Sequence, residues 1–519
     1  MRCQDQAIPW KKSGVQRPDC GPIRVQSASV KNQAQTVYMI GIGGSGMLPL
    51  ARLALARGYQ VLGSDAKLSS EAIASLREEG IDAVGPPDAA RIADLKNGLV
   101  VYSTAISDGH PERMQAREQE ARNEIRLLHR MDFLNELVGH CEIRLGMAGT
   151  HGKTSSTALA GWMLMQLKKD PLIIAGGRPL YLKRAIRNGD HIAVFETDES
   201  DGSFLRSNAT HRLILNADED HLNYYGSFQS LQGAFQEFAS FGQVIFNASD
   251  TGLIPLQQNS ELCGYSILES RGDCEKSQAF MAGYFPQADD TLEFRILWSA
   301  RKDSAMTDRA RGASTESADL EPSRSPGSSV QFHRFRLAVP GRHFASNALG
   351  ILGLLLLAFP DLSLEECIQA MESFPGTERR LELLGQYEGM PVYDDYGHHP
   401  SEIRAVLDAL SQRFPDREIR VVFQPHRYSR TQELAPAFAE SLAHADRVFL
   451  LPLYSAGEDP VPGVDSSLIA NFMPQAKRAT LLEDDVSSVF QSSAEPAIVL
   501  FLGAGDVSQI ARHLFQEIA

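Results

Sequence analysis

Residues Gly149-Thr150-His151-Gly152-Lys153-Thr154-Ser155-Ser156-Thr157 constrain this chain more than any other stretch. Glu142 to Ala148 before them reads as a short strand, and Ala158 to Leu167 after them reads as an apolar-rich helix. A glycine-rich turn between strand and helix aims bare backbone N–H groups at a phosphate chain, and the helix N-terminus adds positive potential. Lys153 is placed to reach the β/γ-phosphates, and the Thr154 hydroxyl to bind Mg²⁺. The match to the usual P-loop spacing is imperfect. Its first glycine falls at Met147, whereas the glycines here stand at Gly146 and Gly149. The plain alternative is an ordinary turn, and Gly-Lys-Thr at a strand-to-helix junction argues against it.

From Thr36 the chain alternates short apolar strands with helical stretches, as doubly wound α/β domains do. Its 519 residues leave room for three or four domains, and three blocks separate: 36–140, 141–376 and 377–519. Pro375-Gly376-Thr377 reads as a hinge before the third. The expected fold is α/β with three doubly wound domains, Rossmann-like at the N-terminus, a P-loop-type ATPase in the middle and Rossmann-like at the C-terminus. Residues 1–35, polar and patternless, read as a loosely ordered extension. Residues 301–329, rich in Ser, Arg, Asp, Glu and Pro, read as a surface insertion.

A formal net charge of −15 argues against a nucleic-acid partner, whose footprint is basic. The longest apolar run, Ala348 to Phe359, ends at Pro360 and is too short to span a bilayer, so no membrane is expected. Cys3, Cys20, Cys141, Cys263, Cys274 and Cys367 lack metal-finger spacing and read as reduced thiols. No signal peptide is visible, and the expected location is the cytoplasm.

In the first block, strand Thr36 to Ile40 leads into Gly41-Ile42-Gly43-Gly44-Ser45-Gly46, a literal GxGxxG. A second strand, Gln60 to Gly63, ends in Ser64-Asp65, where a carboxylate suits a ribose hydroxyl. A third, Leu99 to Tyr102, runs into Ser103-Thr104. Such a loop binds any diphosphate, so a nicotinamide cofactor and a sugar nucleotide both remain open. In the second block, strand His191 to Phe195 ends in Glu196-Thr197-Asp198-Glu199, and strand His211 to Leu215 ends in Asn216-Ala217-Asp218-Glu219-Asp220-His221. Both put acids at the carboxyl edge of the sheet, where α/β folds bind ligands. One carboxylate from each, with Thr154 and phosphate oxygens, suits Mg²⁺. Any single acid here also reads as a solvated loop charge, Asp198 and Glu219 above all.

Together with these motifs, Pro340–His343, Asn347-Ala348, Gly376–Arg380, Asp394–Pro400, Phe423–Thr431, Ala456–Glu458, Gly463–Ser466 and Gly503–Asp506 give the chain a resemblance to the Mur ligases over residues 36–515. Within that family, the Gly41–Met47 loop and Phe423–Thr431 resemble the member that attaches L-alanine to UDP-N-acetylmuramate. The resemblance implies cytoplasmic peptidoglycan-precursor synthesis with ATP and Mg²⁺, through an acyl phosphate, with domain closure about Pro375–Thr377. It recasts Gly41, Gly43, Gly44, Ser45, Gly46, Asp65 and Ser103 as a site for UDP-N-acetylmuramate. ATP would take Gly149, Thr150, His151, Gly152, Lys153, Thr154 and Ser155, with Asn347 at adenine and Arg380 and Asp395 joining on closure. Lys153, Glu196 and His221 are its implied catalytic group, Thr154 and Glu196 holding one metal ion and His221 a second. His398, His426, Arg427 and Arg430 resemble the L-alanine pocket. Arginines suit a carboxylate; His398 and His399 are equally readable as structural histidines.

Three departures stand out. The family's His-Asn-x-x-Asn is His343-Phe344-Ala345-Ser346-Asn347 here, and Phe344 faces either adenine or the core. Asn223 replaces the family's Asp. No lysine lies between Lys183 and Lys276, so that stretch cannot supply the carbamoylated lysine of some siblings.

Overall fold

The computed structural model describes residues 35–220, 222–286, 291–297, 331–337, 339–477, 479–483, 486–491 and 496–518. His221, residues 1–34 of the expected extension and the expected insertion 301–329 lie outside them, as does the Asn223 side chain. Three sheets organise the chain into a three-domain α/β fold.

The first sheet runs β3 (Ile81–Val84), β2 (Gln60–Ser64), β1 (Thr36–Ile40), β4 (Leu99–Tyr102), β5 (Arg126–His129). All its pairings are parallel. Val37, Tyr38, Met39 and Ile40 are buried, as an apolar run covered on both faces must be. Strand order reverses between β1 and β4, and the Gly41–Gly46 loop opens at that switch point.

The middle sheet is mixed, in the order β15 (His333–Arg336), β14 (Thr291–Ile296), β13 (Met281–Tyr284), β12 (Cys263–Ile267), β11 (Gln243–Asn247), β10 (His211–Ile214), β6 (Ile143–Ala148), β9 (Ile192–Glu196), β7 (Leu172–Ile174), β8 (Ile186–Arg187). β9 and β10 flank β6, both parallel to it, so their acidic ends emerge on either side of the glycine-rich turn. The helix after β6 covers Lys153–Gln166 and so begins five residues earlier than its apolar stretch, with Ser and Thr, weak helix formers, in its first turns. Trp162 Nε1 donates to Ala370 O at 2.9 Å, joining it to the helix Leu364–Glu372.

The apolar run becomes a buried helix, Arg342–Ala358, packed over the middle strands. Phe344 is 4% exposed and belongs to this core with Ala348 and Leu349. Its ring stacks on Phe374 at 6.0 Å. Of the two readings of Phe344, the core one describes the structure.

The third sheet runs β16 (Glu382–Tyr387), β17 (Met390–Asp395), β21 (Ala497–Leu502), β18 (Glu418–Phe423), β19 (Arg447–Leu450), β20 (Thr480–Leu481). Its parallel strands carry one antiparallel edge, the β16–β17 hairpin. Glu388 and Gly389 turn that hairpin with φ of 47° and 81°, the positive values a type I′ turn requires. The junction at Gly376 is bonded to the middle domain: Leu180 N–H donates to Gly376 O at 3.1 Å, and Thr377 pairs with Pro179. Cys141, Cys274 and Cys367 are free thiols. No described helix is long and apolar enough to cross a membrane.

Placing an amide where Phe344 packs both empties and polarises the core. Phe344→Asn is expected to lower unfolding free energy by about 3 kcal/mol, read by urea denaturation, without changing nucleotide preference.

Candidate active site

The turn after β6 needs its glycines. Gly152 has φ +83°, and a Cβ there would lie 2.5 Å from Asn347 Nδ2. The neighbouring strand end braces the turn. Asn216 Oδ1 accepts from His151 N–H at 2.8 Å, its Nδ2 donates to His151 O at 3.1 Å, and Thr150 Oγ1 accepts from Asp218 N–H at 3.0 Å. Asn216 belongs to the strand-end motif after β10, and only the fold gives it this bracing role. The amides of Lys153, Thr154 and Ser155 start the helix and have no intrahelical acceptor.

Lys153 Nζ donates to Gly149 O at 2.6 Å, Thr150 O at 3.2 Å and Glu199 Oε2 at 2.7 Å. Burial works against its charge, but Glu199 and Asp198 more than offset this and hold its pKa above the ordinary value. Glu199 is fully buried, and burial pushes its carboxyl up against the pull of Lys153. Beside them, Glu196 Oε2 accepts from Thr154 Oγ1 at 3.2 Å, while Oε1 accepts from Gly176 N–H. Burial raises the Glu196 pKa as well. A half-buried carboxylate with a hydroxyl beside it, both oxygen donors, fits a hard cation such as Mg²⁺.

Arg130, missed in the sequence, ties the first domain to this acidic turn. Its Nη2 donates to Asp198 Oδ2 at 2.9 Å and Ser203 Oγ at 3.0 Å, and lies 3.3 Å from Asp201. Burial opposes the Asp198 charge, but Lys153 and Arg130 prevail and hold its pKa at about 2. Arg130 also reaches the glycine-rich loop of the first domain, where a Cβ on Gly46 would lie 2.9 Å from its Nη1. In that loop Gly44, Ser45 and Gly46 are exposed, and Gly41 and Gly43 half-buried. Asp65 faces inward to the loop: Oδ2 accepts from Gly43 N–H at 3.0 Å and Oδ1 from Lys67 N–H at 2.9 Å. It shapes the loop directly, an arrangement that spacing alone did not reveal. Ser103 stands half-buried at the end of β4. Nearby, a cavity of about 240 Å³ opens between the two domains, lined by Tyr102, Arg113, His129, Arg206 and Tyr224 among others.

On the opposite side, the third domain reaches the turn. His151 Nδ1 lies 3.2 Å from Glu402 Oε1, and Nε2 lies 3.2 Å from Asp218 Oδ2 and from Ser401 Oγ. Burial disfavours its charge, but the two carboxylates dominate and raise its pKa to about 9. Glu402 and Ser401 carried no sequence signal, because only tertiary approach gives them this role. Arg380 lies 3.9 Å from Glu402 and over the Tyr396 ring. Asp395 accepts from Leu381 and Gly397 N–H, both at 2.7 Å, and burial pushes its pKa to about 6.

His398 and His426 approach with ring centroids 6.3 Å apart, and His426 stacks on Tyr454 at 5.6 Å. Burial holds both histidines near pKa 4, hence neutral. Arg427 adopts φ +75°, an uncommon conformation for a residue with a Cβ, and its N–H donates to Tyr454 O at 2.8 Å. Arg430 is half-buried on the following helix, Tyr428–Leu442. The described residues thus juxtapose a phosphate-type turn, a pair of oxygen donors that fits a cation and a separate histidine–arginine cluster. His221, expected at a second ion, lies outside the described residues.

Comparison with known proteins divides the chain in three. Residues 36–140 match the Mur ligase family catalytic domain, 147–355 the Mur ligase middle domain, and 379–505 the Mur ligase glutamate ligase domain. The chain is 34% identical over 490 residues to a UDP-N-acetylmuramate–L-alanine ligase of Carboxydothermus hydrogenoformans, covering 92% of this chain and 96% of that one. It is 34% identical over 491 residues to one from Acidithiobacillus ferrooxidans, covering 93% and 97%. A crystal structure of UDP-N-acetylmuramate–alanine ligase from Thermotoga maritima shares the fold with TM-score 0.70 at 24% identity, covering 93% of this chain and 99% of that one. A murein peptide ligase from Psychrobacter arcticus does so with TM-score 0.61 at 20%, covering 93% and 98%.

The His151 bridge predicts a pH signature. Its folded pKa of about 9 exceeds the unfolded value near ~6.5. The stabilisation is therefore fully present below ~6.5 and lost as pH rises through 9. Asp218, Glu402, Ser401 and His399 face the ring. Urea midpoints of the protein should fall across this window more steeply than those of His151→Gln.

Proposed function

The chain belongs to the Mur ligase family, and on that premise we propose that it joins L-alanine to the carboxylate of UDP-N-acetylmuramate, converting ATP to ADP and phosphate. The observation that carries the reaction type is the meeting of Lys153 and Thr154, on one helical turn, with Glu199 and Glu196 from the end of β9. The substrates follow the full-length relatives that bear their names. The reading places the protein in peptidoglycan-precursor synthesis in the cytoplasm, where ATP is available.

A carboxylate is a poor acceptor for an amine, because its leaving group would be oxide. Attack of a carboxylate oxygen on the γ-phosphorus breaks the bond to ADP and forms an acyl phosphate. Lys153 leaves Glu199 for the phosphates, and the Lys153–Ser155 amides hold their oxygens. Mg²⁺, held by Thr154 and Glu196, would neutralise charge on the transferring group. The alanine amine then attacks the acyl carbon, an amide bond forms and phosphate leaves. Arg427 and Arg430 take the amino-acid carboxylate, while neutral His398 and His426 face its amine.

Residues 36–140 hold the sugar nucleotide through Gly41, Gly43, Gly44, Ser45, Gly46 and Ser103, with Asp65 bracing the loop. Residues 141–376 hold ATP, where Asn347 packs on Gly152 at the phosphate turn and also faces the nucleotide. Residues 377–519 present the amino acid, Arg380 and Asp395 completing the nucleotide site, with movement about Pro375–Thr377.

Mass spectrometry of the product from UDP-N-acetylmuramate, ATP-Mg²⁺ and mixed amino acids is expected to show the alanyl adduct. Phosphate release without a new bond would instead mean a nucleotide switch. Lys153→Ala should abolish the adduct while the sugar nucleotide still binds. Glu196→Gln should raise the Mg²⁺ concentration needed for half-maximal rate more than Glu199→Gln does, because a neutral amide is the poorer hard-cation ligand; the reverse order would exchange their roles.

A further inference from the structure

His151, Asp218 and His399 bring ligand atoms within 4.8 Å of one another, a spacing open to a metal ion. Each ring nitrogen of His151 already faces a carboxylate, however, and the ring carries a proton there. A cation there would have to take the place of the proton between His151 Nε2 and Asp218. The residue that this arrangement singles out is Glu402.

Glu402 stands in the first turn of the helix Pro400–Arg413, and its two oxygens have different surroundings. Oε2 accepts from the backbone N–H of His398 at 3.0 Å and of His399 at 3.3 Å, the work of a capping box. The same oxygen lies 3.5 Å from His398 Nδ1. Oε1 takes no part in the cap. It crosses to the middle domain, 3.2 Å from His151 Nδ1, and also lies 3.9 Å from Arg380 Nη1. The side chain is only 13% exposed, so these charges meet largely out of water. Helix capping needs one acceptor; it does not account for an oxygen aimed at the phosphate turn of another domain.

We propose that Glu402 is a positioning residue that couples closure of the third domain to both reactant sites, Oε1 locking onto the phosphate turn through His151 while Oε2 fixes His398 in the amino-acid pocket. The proposal rests on the reading of the reaction given above. Its physical consequence is that the amino-acid pocket is set in place only when the third domain has docked on the nucleotide domain. Because the link is electrostatic and crosses a hinge, it can break and reform in each turnover.

The discriminating variant is Glu402→Gln. Its carbonyl oxygen can still cap the helix, but its amide NH₂ would face His151 and Arg380, two cations. Thermal midpoint is expected to stay near wild type. KM for ATP and for L-alanine should both rise on the order of tenfold, as for loss of a charged hydrogen bond, with KM for UDP-N-acetylmuramate unchanged. Glu402→Asp also retains a cap acceptor but is one methylene short, and should err in the same direction. In a His151→Gln background the Glu402→Gln effect on KM for ATP should largely vanish. Wild-type KM values in Glu402→Gln, or strictly additive effects with His151→Gln, would overturn the proposal. Small-angle scattering of the ligand-free protein tests the bridge without reference to substrate. Glu402→Gln should be more expanded than wild type, and an unchanged radius of gyration overturns the coupling. A wild-type protein that makes no alanyl adduct refutes the reaction, while its scattering still decides the bridge.

Discussion

A lysine ammonium enclosed at the start of a helix must be met by negative charge, and the middle domain is arranged around that demand. Lys153 has its own turn's carbonyls on one side and Glu199 on the other. Removing one member of such a buried pair costs far more than the pair contributes, because the survivor is left desolvated. Lys153 is thus charge-paired within the protein itself. On the proposed reading, a polyphosphate takes over from Glu199 at Lys153, and binding exchanges one anion for another.

The same electrostatics runs outward in two directions. Asp198, next to Glu199 in the chain, pairs with Arg130 of the first domain, which in turn lies against Gly46 of the glycine-rich loop. On the far side, His151 of the phosphate turn is held between Asp218 and Glu402. Opposite charges thus link the sugar-nucleotide candidate loop, the phosphate turn and the histidine–arginine cluster. The His151–Glu402 contact is polar, which suits parts that must separate and rejoin, whereas the first and middle domains also share one apolar cluster that runs from Leu50 and Phe133 to Ile174 and Phe195.

Much of the fold was legible along the chain. Thr36–Ile40 and Leu99–Tyr102 appear as strands where their apolar runs lie, since a parallel strand covered on both faces has no polar side to confuse the pattern. The phosphate-turn helix was legible in kind but not in onset: its first turns carry Ser and Thr that mask the apolar period, and the helix begins at Lys153. Asp65 marks the opposite case. Its spacing after the GxGxxG suggested a ribose partner, while the fold turns both its oxygens onto backbone amides of its own loop region.

By itself the sequence determined the alternation of strands and helices, the glycine-rich turns and the identity of the groups at strand ends, because these depend on neighbours a few residues away. Tertiary structure alone decided which groups meet. Strand order set Glu196 and Asn216 on either side of the turn, with β9 and β10 flanking β6 from far along the chain. Packing turned Phe344 into the core rather than toward a ligand, because Phe374 stacks on it from a later helix–loop junction. Docking of the third domain brought Glu402 to His151 across 251 positions of sequence. No local pattern records such a pairing, since its energy exists only when two surfaces, each folded separately, exclude water between them.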